Sequence, residues 1–347
     1  MIELKEDSLV FTFPEVHPEA QLEINFQRTF RIPDDGKEYP LPPGFDNFPL
    51  RHVDDYAEKI PKRWIEHGGV MLPMYQSEAL WLYFHSHHLF AHRNEYPFAI
   101  KVATGKINAV TGDTWSEGLS RGPQDYMVTQ EQPWLDGYCI EKGVIRQFVA
   151  MPLGAGYSAE EQITGKGDHG GLQIAVYPMK RDKFEEYFPK REEEEERRFS
   201  IMADMEAPSV CYSLAEPDMG LSPGGRMRQE IYDDPFELGD WDIENTSRCF
   251  VHIANSMVWR SITGDDPPTV PLTAKDYNEA GMPWFDYYND DGRAADGAEK
   301  LEKMKSVAAM GKEKGDVPLP ENESVEPDHI IKLRKDLKHN QVREGDF

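Results

Sequence analysis

Three cysteines, Cys139, Cys211 and Cys249, are too few and too widely spaced in 347 residues for a disulfide scaffold or a CxxC metal site. That usage suits a reducing compartment. Long apolar runs are missing as well: no segment approaches the roughly 18 uninterrupted apolar residues of a membrane span. The opening MIELKEDSLVFTF has acids where a secretory signal needs a basic start. Basic residues are in short supply, with 38 Lys plus Arg against 63 Asp plus Glu and a formal charge of −25. Such a chain repels phosphate backbones and anionic membrane surfaces. We therefore expect a soluble, acidic, cytoplasmic protein with neither nucleic acid nor membrane as partner. No GxxxxGK[ST] phosphate loop is present, and neither a dinucleotide loop nor an elbow-type serine nucleophile is expected.

What is abundant is aromatic area. Seven Trp, fifteen Tyr and seventeen Phe exceed what disordered chains carry, so most of the chain should fold although only 39% of it is hydrophobic. The organising stretch is 143–180, where two β-favouring runs, 144–153 and 172–179, flank a polar segment with six glycines between 154 and 171. Two buried strands joined by a long glycine-bearing loop, either functional or disordered, is the expected arrangement. Residues 20–33 alternate Leu22, Ile24, Phe26, Phe30 and Ile32 with polar neighbours, as a half-buried strand does. Arg28 falls on the apolar parity and demands a bulge or a buried partner. Helices are expected over 54–67, interrupted at Pro61, and over 77–92, with strands at 70–74, 98–102 and 106–110. Pro223, Gly224 and Gly225 read as a loop, and Thr273 with Asp276 as a helix start.

The fold class expected is α+β, with a substantial antiparallel or mixed sheet, flanking helices and a charged C-terminal tail. The domain expectation is an N-terminal part over 1–190 and a second part over 191–290 that shares or adjoins its core. The third section, 291–347, is read as an acidic, partly helical or disordered tail. Residues after about 312, with helical potential over 327–337, are expected to add little to folding, being poor in apolar area.

Three groups carry chemistry. His85, His88 and His92 would share one helix face at i, i+3 and i+7, but two turns separate the outer pair by about 10 Å, too far for ligand bonds of about 2 Å to converge easily. No cofactor is expected on that ground, with a divalent metal as the alternative. The loop supplies Lys166, Asp168 and His169 as ligand-binding candidates that could also do acid and base work, and its glycine amides could cradle an anion, with Ser158 placed to cap a helix from Ala159. Arg226 and Arg228 form an anion-friendly turn that neighbouring acids would neutralise. With aromatic area but no catalytic triad, the leading reading is a non-enzymatic binding or assembly protein, with a protein partner or its own copy. The alternative is a metal-assisted or general acid/base hydrolase using the 154–171 loop, and the sequence leaves open whether the chain is an enzyme.

Overall fold

The computed structural model describes residues 1–89, 92, 94–190, 218–288 and 293–334. Sheet predominates among the regular elements of the described residues. One sheet of sixteen strands runs in the order Ile2–Lys5, Ser8–Thr12, Gln21–Thr29, Ala79–Ser86, Val144–Pro152, Asp218–Arg228, Ser247–Asn255, Leu172–Pro178, Phe98–Thr104 and Ile107–Asn108, with six further strands attached off this path. Pairing along the path is antiparallel throughout. The described helices are few and short, the longest α-helices having eight residues, so the flanking-helix part of the α+β expectation is only loosely met. Strands from both sides of residue 190 hydrogen-bond in this one sheet. None of the described helices is long and apolar enough to cross a membrane.

Alternation decides the strands. Gln21–Thr29 buries Leu22, Ile24, Phe26 and Arg28, while Gln21, Glu23, Asn25 and Gln27 of the other parity stay half exposed and Thr29 at its end is buried. Arg28 has the buried partner its parity demanded: its Nε and Nη2 donate to Glu78 Oε1 at 2.9 and 2.8 Å. Burial pushes the Glu78 carboxyl up to about 7 even though the Arg28 charge opposes that shift. The helix expected over 77–92 is instead the strand Ala79–Ser86, which pairs Leu82 opposite Phe26 and Leu80 opposite Arg28. Leu80, Leu82 and Phe84 recur at every second residue, and a strand on either side takes up their backbone groups, which outweighs the helical spacing of Leu80, Trp81 and Phe84.

Both organising runs are strands, but not neighbours. Asp218–Arg228 and Ser247–Asn255 lie between Val144–Pro152 and Leu172–Pro178. Pro223, Gly224 and Gly225 are therefore strand interior rather than loop. A Cβ on Gly225 would stand 2.3 Å from the Pro33 carbonyl oxygen, and the register shifts between Arg146 and Phe148 where Pro223 interrupts the ladder. The helix restarts after Pro61 as Lys62–His67, and Ala274–Glu279 begins at a capping box of Thr273 and Asp276.

The helical potential at 327–337 is overridden too: Ile330–Arg334 is a strand parallel to Trp284–Tyr288. Ahead of it, Asn322 accepts from Arg31 at 2.6 Å, and Val325 joins Phe30, Tyr277 and Trp284 in a core cluster. The five-glutamate run at 192–196, Cys211 and residues 335–347 lie outside the described residues.

Candidate functional site

Helix Lys62–His67 carries Arg63 and His67 one turn apart, hence on one face. Strand Ser247–Asn255 carries Arg248, Phe250 and His252 at every second position, again one face. Two close backbone approaches bring these faces together with the 154–171 loop. A Cβ on Gly69, at φ +89°, would lie 2.1 Å from the Phe250 carbonyl oxygen, and one on Gly171, at φ +53°, would lie 2.4 Å from that of Val251. Only glycine permits both contacts, and they seat the helix end and the loop's return directly on the strand.

Within the loop, Ser158 caps helix Ala159–Thr164 in a capping box with Glu161. Its role is structural. The next residue but one, Glu160, points inward with only 4% of its side chain exposed and gathers the far end of the loop. Its Oε2 accepts from the amides of His169 and Gly170 at 3.2 and 3.0 Å, and its Oε1 lies 2.7 Å from His169 Nδ1. Glu160 thereby fixes the plane of the His169 ring.

That ring opens a run of stacked planar groups. His169 lies 5.6 Å from His67, and His67 stacks on Phe250 at 4.7 Å and 12°. Beyond Phe250 the Arg248 guanidinium stands 5.6 Å from its ring and 5.9 Å from that of Trp115. Behind the run, buried His252 stacks on Trp64 at 4.9 Å, and its Nε2 lies 3.0 Å from the Gly68 carbonyl oxygen. Burial pushes the His252 imidazole down to about 4. His67 is also lowered, first by burial and then by the neighbouring His169. Both rings are thus held neutral at pH 7.

Asp218 completes the group. Its Oδ2 accepts from Trp64 Nε1 at 3.1 Å and from Arg63, whereas its Oδ1 is buried with no partner, as is His67 Nδ1. A cleft of about 240 Å³ opens beside the run, where His67, Phe250 and Arg248 meet Leu4, Leu9 and Val70.

The other anticipated residues are elsewhere. Lys166 and Asp168 are exposed on the loop and stay outside the ring stack that receives His169. Arg226 binds Glu141 at 2.8 Å and Glu38 at 3.0 Å, and Arg228 binds Asp286 at 2.9 Å, so both arginines are spent in ion pairs. His85 is exposed on a strand opposite Glu23, and His88 lies on a short strand opposite Glu95. His92 is buried against Phe184 at 4.7 Å between ring centres. With no helix under them, the three do not share a face, and among the described residues no group of three or more His, Cys, Asp or Glu side chains is placed to hold a metal ion.

Two motif spellings that were not expected do occur. GxSxG appears at 118–122 and 220–224, and GxGxxG at 165–170. None has the required setting. Ser120 sits in a loop whose Gly122 amide donates to its Oγ, and Ser222 is wholly buried mid-strand. The 165–170 glycines follow a helix and lead into a strand, the reverse of the dinucleotide-binding order.

No family model, curated protein or solved structure matches this chain.

Sequence reasoning found His169 and missed Glu160, His67, His252, Phe250, Arg248 and Asp218. Two signals were present, the i, i+4 pair Arg63 and His67 and the alternation of Arg248, Phe250 and His252. Neither says which face meets which.

Proposed function

We propose that the chain is a non-enzymatic binding protein whose recognition face is the run Trp115, Arg248, Phe250, His67 and His169. The observation that carries this reading is where the loop's donors go. The amides of His169 and Gly170 donate to Glu160, and that of Gly171 donates to the Met219 carbonyl. A hydrolytic site keeps such donors waiting for a developing oxyanion, and these are already satisfied. Nucleophiles nearby are equally committed: Ser158 is a helix cap, and burial pushes the Cys249 thiol up to about 12. Stacked planar side chains instead offer rigid contact area at little entropic cost, which is what recognition uses.

The hydrolase reading keeps one supporting observation. Glu160 at 2.7 Å orients His169, and a carboxylate-held imidazole is a competent general base. Turnover of p-nitrophenyl acetate and p-nitrophenyl phosphate separates the two readings. We expect no rate above that of His169→Ala. Turnover that disappears in both His169→Ala and Glu160→Gln would replace binding by hydrolysis. Partners enriched by the wild-type chain should be lost with the folded double variant His67→Ala, His169→Ala, and undiminished recovery would move the recognition face elsewhere.

A further inference from the structure

Resting on that recognition face, we propose that the cleft beside Phe250 is a binding site for a small carboxylate with a compact apolar body. Leu4, Leu9, Val70 and the Phe250 ring lend the cleft apolar area, and its lining also includes polar residues, among them His52 and Asp54. At about 240 Å³ the cleft lies below the roughly 300–1,000 Å³ of drug-sized pockets, which restricts the ligand to one ring or a short branched chain. Arg248 and His67 line the cleft beside Asp54, so Arg248 is its one cationic side chain. An anion is favoured here only where it replaces Glu117 as the partner of Arg248, so the attraction is local to that guanidinium.

Arg248 is suited to the task. Its guanidinium stands within cation–π range of both the Trp115 and Phe250 rings, 5.9 and 5.6 Å from their centres, which keeps the charge beside the cleft. One nitrogen, Nη1, donates to Glu117 at 2.9 Å. Glu117 is 80% exposed along its side chain, so this pair is a weak competitor that a ligand carboxylate can displace. Asp54 in the same lining repels a second negative charge, which selects monocarboxylates over dicarboxylates.

Benzoate, benzyl alcohol and phthalate are the probes, titrated against the full chain by calorimetry or by shifts in amide NMR signals around Val70 and Phe250. We expect saturable benzoate binding in the millimolar range, with benzyl alcohol and phthalate each weaker. Arg248→Gln should weaken benzoate by about tenfold or more, the loss expected for a charge-assisted hydrogen bond. Glu117→Gln removes the competitor and should tighten benzoate a few-fold, an outcome that a merely structural role for Arg248 would not produce. Equal binding of benzyl alcohol, an unchanged affinity in Arg248→Gln, or no saturable binding at all would overturn the assignment. Those results leave the partner-enrichment test at His67 and His169 untouched, so this inference can fail while the broader reading stands.

Discussion

Glu160→Ala is the sharpest test of how the loop is held. The carboxylate accepts from two backbone amides, His169 at 3.2 Å and Gly170 at 3.0 Å, and holds His169 Nδ1 at 2.7 Å. Alanine leaves both amides without acceptors in a site where the Glu160 side chain is only 4% exposed. At about 1–3 kcal/mol for each orphaned buried donor, the expected loss for the two is about 2–6 kcal/mol. Glu160→Gln separates this from loss of charge. Its amide oxygen still accepts from the two amides, and its NH₂ faces Nδ1, which accepts in the other tautomer, so about 1 kcal/mol should be lost. Urea unfolding at neutral pH reads both variants, provided that the slope is unchanged. A Glu160→Ala midpoint within about 1 kcal/mol of wild type would show that water replaces the carboxylate and that the loop is not held as argued.

A stop after Gly315 removes Asn322, Val325 and the strand Ile330–Arg334, so it should lower the thermal midpoint by several degrees, contrary to the expectation from composition; an unchanged midpoint would show that this segment adds nothing. Asp136 is fully buried against Gln229, and burial pushes its carboxyl up to about 7 from an ordinary value near 3.8. The folded state then binds the extra proton, so this group's contribution is fully present below about pH 4 and is lost as pH rises through about 7. Asp136→Asn should gain on wild type over that interval, and a stability difference flat with pH would refute the assignment. Ile174→Asp places a carboxylate at a fully buried position of Leu172–Pro178 and should abolish the cooperative unfolding transition; a folded variant would show that the strand tolerates water.

Much of the local structure was legible because it depends on neighbours in the chain. The parity of Gln21–Thr29, the restart after Pro61, and the caps at Ser158 and Thr273 follow from residues within a turn or two of one another. The misplacement of 77–92 came from a pattern that fits two periods. Its resolution required the flanking strands Gln21–Thr29 and Val144–Pro152, whose pairing no local spacing reveals. His85, His88 and His92 lost their common face with that helix.

By itself the sequence determined which segments could bury an apolar face, how strongly the surface is acidic, and that the 154–171 loop would carry a histidine and a capped helix. Tertiary structure alone decided that Asp218–Arg228 and Ser247–Asn255 run between the two organising strands, and that Pro223, Gly224 and Gly225 belong to a strand. It also decided that His67, His169 and Phe250 stack. The physical reason is range. Period and capping are set by interactions between near neighbours, whereas these contacts rest on backbone approaches at Gly69 and Gly171 that exist only once distant strands are in register.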